Sequence, residues 1–143
     1  MAAWTDGLVF LPLGGAGEIG MNLNLYGCAG RWLMVDLGTT FADETLPGID
    51  LVVPDPGFIE TERDNLEALV LTHAHEDHLG AVPYLWPRLR CPVYATAFAA
   101  AVLRRKLDEV GLRDAVPIIE YRSGDRLTLG PFVVTPIGIT HSI

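Results

Sequence analysis

The sequence predicts a layered α/β fold in which strands outnumber helices and both helices lie between strands. Three observations point that way. Fifteen glycines and ten prolines cut the 143-residue chain into short segments. The apolar runs between them are short and often alternate, as half-buried strands do. Half of the residues are hydrophobic, enough for a core and too many for a disordered chain.

Taken in order, Gly7 to Leu11 is a short strand that runs into a glycine-rich loop, Pro12 to Gly20. Asn22-Leu23-Asn24-Leu25-Tyr26 alternates, Gly27 to Gly30 is a turn, and Arg31 to Asp36 returns, so residues 22–36 form a hairpin. Residues 37–62 are irregular, with three prolines and one brief strand at Leu51-Val52-Val53. Leu66 to Thr72 is an apolar strand, and a short helix follows from His78 to about Trp86, weakened by Pro83. Pro92 to Ala95 is a strand. Thr96 caps a helix from Ala97 to Val110, which Gly111 closes. Ile118 to Glu120, Arg126 to Leu129 and Phe132 to Ile137 are further strands, and one sheet packs against the two helices.

The formal net charge is −8, from 18 acidic and 10 basic residues. Such a chain does not bind nucleic acid by bulk charge; contact with RNA requires a local basic patch or further chain. No run is long enough to span a membrane, and Met1 to Asp6 lacks a basic stretch, so a cytoplasmic protein without a signal peptide is expected. Cys28 and Cys91 are far apart and outside any paired motif, and read as packing residues in a reducing compartment.

The chemistry is concentrated in Thr72-His73-Ala74-His75-Glu76-Asp77-His78. His73 and His75, two apart at a strand end, point to one side. Asp77 and His78 then approach from the start of the next helix. Imidazoles and a carboxylate around an open position suit catalytic zinc. Adjacent residues cannot easily share one ion with both earlier histidines. Two metals are therefore expected, one on His73 and His75, the other on Asp77 and His78. A metal pair activating water between them suits hydrolysis of esters, amides and phosphodiesters without a protein nucleophile. Glu76 is read as a solvated or supporting carboxylate. The remaining histidine, His141, follows the last apolar run.

The H-x-H-x-D-H pattern resembles the metallo-β-lactamase superfamily. Leu13-Gly14-Gly15-Ala16-Gly17-Glu18-Ile19-Gly20-Met21-Asn22, the segments Val35-Asp36-Leu37-Gly38 and Gly48 to Asp55, and Thr140-His141-Ser142-Ile143 resemble the ribonuclease J family. That resemblance implies the N-terminal half of an αββα sandwich over residues 1–143. It puts His73, His75 and His141 on one zinc, Asp77 and His78 on a second, and makes Asp36 a brace for the metal loop. It implies phosphodiester hydrolysis in RNA, 5′ to 3′ with some internal cuts, by a protein that is a homo-oligomer when intact. Family members also carry a downstream bridging aspartate, another zinc histidine and an inserted β-CASP domain. None of these matches residues 1–143, so this stretch alone is expected to be inactive.

Other readings compete. The same fold serves hydrolases of thioesters and lactones, and a non-catalytic RNA-binding or scaffold protein could retain the cluster unused. Gly14 to Gly17 lacks the spacing of a P-loop or dinucleotide fingerprint, and is either a tight hairpin entry or a backbone cradle for phosphate. Glu18 and Asn22 are read as structural, Arg104-Arg105-Lys106 as a solvated helix face, and Ser142 as a residue that could meet the scissile phosphate.

Overall fold

The computed structural model describes residues 7–141; residues 1–6 and 142–143, Ser142 among them, lie outside the described residues. The strands are β1 (Val9–Gly14), β2 (Leu23–Cys28), β3 (Arg31–Val35), β4 (Thr40–Phe41), β5 (Leu51–Val52), β6 (Leu66–Val70), β7 (Val93–Thr96), β8 (Ile118–Tyr121), β9 (Leu127–Leu129) and β10 (Phe132–Val134). The helices are α1 (Gly57–Thr61), α2 (Glu76–Leu79), α3 (Val82–Leu89) and α4 (Ala97–Glu109), with a 3-10 turn at Arg63–Asn65.

Six strands form the main sheet in the order β1-β2-β3-β6-β7-β8. The first three are antiparallel neighbours, and β3, β6, β7 and β8 run parallel. Alternation sets the two faces. Leu23, Leu25, Met34, Leu69, Val93 and Ala95 point to a face covered by helices, where they meet Leu85, Trp86, Leu103 and Leu107. Leu33, Ala68 and Val70 point to the other face and meet Leu129 and Phe132 of the β9–β10 ribbon. Among the described residues no helix is long and apolar enough to cross a membrane.

The predicted hairpin forms, with a tighter turn than expected: Gly27 and Cys28 stay in β2, and only Ala29 and Gly30 lie between the strands, both with positive φ (50° and 75°). β1 runs on through Pro12, which the sequence placed in a loop. An edge strand tolerates a residue without N–H, and the register shifts between Pro12 and Gly14.

The helix expected over 78–86 is two helices. α2 begins earlier, at Glu76, and ends at Leu79, with Gly80 as its C-cap. α3 begins at Val82, which places Pro83 in the first turn, where its missing N–H costs nothing. Pro87 lies inside α3, and the helix stops at Arg90 in a left-handed conformation (φ 52°). The helix predicted from Ala97 forms to Glu109, capped as expected: Thr96 Oγ1 accepts a hydrogen bond from Ala99 N–H at 3.3 Å. The last strand ends at Val134 rather than Ile137. Beyond it the chain folds onto the preceding turn, with Pro136 C=O accepting from Gly124 N–H (2.8 Å) and Ser123 Oγ accepting from Gly138 N–H (2.9 Å). β4 and α1 lie in the proline-rich stretch that the sequence left irregular, and the 3-10 turn follows it.

Candidate metal centre

Parallel pairing of β3 with β6 brings two strand ends together, with Val35 opposite Val70. The next residues of each strand, Asp36 and Leu71-Thr72-His73, therefore meet at the carboxyl edge of the sheet. Asp36 is 4% exposed and left-handed (φ 64°), a conformation aspartate tolerates better than most residues. Its Oδ1 accepts from Thr72 N–H at 2.8 Å, and Thr72 Oγ1 lies 2.9 Å from its Oδ2. The same Oδ2 lies 2.7 Å from His78 Nδ1. The expected brace is thus present: one carboxylate ties the strand end, the threonine and a histidine of α2.

Thr72 passes the order on. Its Oγ1 lies 2.9 Å from His73 Nδ1, which turns His73 Nε2 outward to within 3.0 Å of His75 Nδ1. His141 arrives from the segment after β10, and the ligand atoms of His73, His75 and His141 all lie within 4.8 Å of one another. Two imidazole nitrogens bound tetrahedrally to one ion sit about 3.3 Å apart, so this trio needs little adjustment to hold one. Burial first, then the neighbouring His78 and His75, holds His73 below the usual histidine range, which favours the neutral, metal-binding form.

His78 behaves in the opposite sense. Burial alone would lower its pKa, but the hydrogen bond and charge of Asp36, with the charge of Asp77, raise it. With Nδ1 engaged by Asp36, Nε2 faces Asp77 Oδ2 at 3.3 Å. Two carboxylates thus favour positive charge at this point, as a proton or as a metal ion. The His73 and His78 rings are 4.1 Å apart between centroids, so the trio and the Asp77–His78 pair are adjacent.

The loop carrying these groups is held by backbone. Leu37 N–H donates to His78 C=O (2.8 Å), Thr39 N–H to Glu76 C=O (3.0 Å) and Asn22 N–H to Asp77 C=O (3.1 Å). The approach is close enough to require glycine at 38: a Cβ there would lie 1.7 Å from the Asp77 carbonyl oxygen. Glu76 pairs with Lys106 of α4. Arg104 pairs with Glu120 at 2.7 Å, and Arg105 is exposed, so this basic run is largely the surface it was read to be. Glu18 accepts from Gly15 N–H at 3.0 Å, which makes it structural as read.

A cleft of about 600 Å³ opens over the centre, lined by Asp36, Thr72, His73, His78, Tyr121 and His141 among others. Tyr121 donates to Leu71 C=O at 2.7 Å and so buttresses the strand end. Neither Thr72 nor Tyr121 was given a role from sequence. Thr72 had a signal in its place directly before the first histidine; Tyr121 had none, because only the pairing of β7 with β8 brings it there.

Comparison with known proteins agrees with this geometry. The model of the metallo-β-lactamase superfamily matches residues 25–142, and the chain belongs to that superfamily. Within it, the chain is 51% identical to ribonuclease J of Sinorhizobium meliloti over 145 aligned positions, covering 99% of this chain and 26% of that protein. It is 38% identical to ribonuclease J of Helicobacter pylori, covering 92% of this chain and 19% of that protein. The chain therefore spans a fifth to a quarter of these curated relatives. Among solved structures, the metallo-β-lactamase fold protein YhfI from Bacillus subtilis superimposes with a TM-score of 0.60 at 20% identity, covering 91% of this chain and 52% of that one. The agreement with YhfI is one of fold.

Proposed function

We propose that residues 1–143 supply one side of the active site of a zinc-dependent ribonuclease of the ribonuclease J type. In this reading the protein removes nucleotides from RNA 5′ ends with some internal cuts, in the cytoplasm and as a homo-oligomer. Residues 1–143 are the N-terminal part of its metallo-β-lactamase-like domain, with the β-CASP insertion and the rest of that domain following. The observation that carries the reading is the convergence of His73, His75 and His141 beside the Asp77–His78 pair, in a chain half identical to a ribonuclease J. His73, His75 and His141 would hold one zinc, and Asp77 and His78 a second. Bound zinc would supply polarisation of the phosphoryl oxygens and activation of water. Asp36 and Thr72 fix the ring orientations of His78 and His73 and keep their metal-facing nitrogens turned outward. Asp77 orients the attacking water with its carboxylate. No serine or cysteine nucleophile is needed.

The test uses the intact protein that carries this chain. Zinc per chain is measured by atomic emission, and cleavage is followed on end-labelled single-stranded RNA bearing a 5′ monophosphate. His73→Ala and His75→Ala are expected to lose the first zinc and nearly all hydrolysis, and Asp77→Ala the second zinc and most hydrolysis. Normal zinc content and normal rate in any of the three would remove the assignment. Turnover of thioesters or lactones in place of RNA would move the enzyme to another branch of the superfamily.

A further inference from the structure

We infer that Asn22 is a positioning residue for Asp77 and His78, and that the glycine-rich loop before it serves as the cradle for its side chain. The inference rests on the proposed assignment of Asp77 and His78 as ligands of a second zinc.

Asn22 grips the metal loop with main chain and side chain together. Its N–H donates to Asp77 C=O at 3.1 Å, and its Nδ2 donates to the same oxygen at 2.9 Å. The amide nitrogen has a second hydrogen. Nδ2 also lies 3.5 Å from Asp77 Oδ2 and 3.5 Å from His78 Nε2, the two atoms proposed to bind metal. Asp77 Oδ2 is an acceptor, and because the same amide nitrogen also holds the Asp77 carbonyl, Asn22 keeps the Asp77 carboxylate turned toward His78 Nε2. Asn22 C=O in turn accepts from Gly38 N–H at 2.9 Å, which closes a ring of contacts around the loop.

The glycine loop takes its meaning from this side chain. A Cβ on Gly15 would lie 2.2 Å from Asn22 Oδ1 and 3.1 Å from Asn22 Cα, and Gly15 has a φ of 85°. The room a side chain would need at position 15 is occupied by Asn22. Gly15 N–H is already engaged by Glu18, so at this position the loop does not offer its N–H to a phosphate. Partners that orient metal ligands without touching the metal are worth about 10- to 100-fold in metal affinity.

The experiment measures zinc affinity on the intact protein, one site at a time. A His75→Ala background isolates the second site, and an Asp77→Ala background isolates the first. Asn22→Ala is expected to weaken zinc at the second site by about 10- to 100-fold and to leave the first within about twofold, which a general loss of folding would not do. Asn22→Leu keeps the approximate size but removes the donor without adding charge, and is expected to weaken the second site at least as much. Gly15→Ala is expected to reproduce the same selective loss by displacing Asn22. Unchanged second-site affinity in Asn22→Ala, equal loss at both sites, or retained affinity in Asn22→Leu would overturn the inference. A parent protein without zinc at Asp77 and His78 would instead overturn the ligand assignment itself, and the inference with it.

Discussion

Gly38→Ala is the sharpest perturbation the fold offers, because a single methyl group would meet backbone rather than side chain. The added Cβ would lie 1.7 Å from Asp77 O, 1.9 Å from Asp77 C and 2.5 Å from His78 N. The first two are roughly half an ordinary carbon contact. A peptide unit cannot swing aside as a side chain tip can. The segment 36–39 must therefore move away from 76–78. The hydrogen bonds that join them include Leu37 N–H to His78 C=O, Thr39 N–H to Glu76 C=O, the His78 Nδ1 contact with Asp36 Oδ2 and, through Asn22, Gly38 N–H to Asn22 C=O. Leaving a buried polar group without its partner costs about 1–3 kcal/mol. Breaking two of these contacts would cost about 4 kcal/mol, a large share of the 5–15 kcal/mol typical of a domain. The same shift would carry Asp77 and His78 away from His73. Denaturant unfolding of the intact protein and zinc per chain together report both effects. A Gly38→Ala protein that unfolds within about 1 kcal/mol of its parent and keeps its zinc would refute the reasoning.

Further outcomes follow from the same structure. Cys91 is buried, and burial pushes its thiol up to about 12 from an ordinary value of 9.0. The folded state therefore keeps a proton that the unfolded chain gives up, so stability should fall between pH 9 and about 12, with a slope approaching 1.4 kcal/mol per pH unit. Cys91→Ala should flatten that dependence in denaturation curves taken across the range. Thr96→Ala removes the side-chain cap of α4 and should cost about 1 kcal/mol, with Thr96→Ser close to the parent, both read from unfolding midpoints. Residues 1–143 expressed alone should bind zinc weakly or at one site, leave labelled RNA uncut and self-associate. The groove between the main sheet and the β9–β10 ribbon exposes Leu8 and Val133 beside Tyr26, Leu33 and Phe132. Two tightly held zincs with RNA cleavage by this piece would show that it is a complete catalytic unit.

Sequence alone determined whatever depends on neighbours along the chain. Alternation over residues 22–26, a glycine-bounded turn and an apolar return to residue 36 specified a hairpin, Thr96 specified where α4 starts, and His73, His75, Asp77 and His78 declared themselves because a strand end followed by a short helix presents them together. The break at Gly80 and Ala81 was less legible. A proline fits a helix only in its first turn or at a cost, and Pro83 is compatible with one late helix or with two. Tertiary structure decided whatever depends on residues far apart in the chain. Only the parallel pairing of β3 with β6 sets Asp36 against Thr72, and only the fold-back of residues 136–138 onto 123–124 brings His141 to His73 and His75. Gly38, Asn22 and Tyr121 gave little local sign of their roles, because each acts through a contact with backbone or side chain that loop closure, not periodicity, brings within reach.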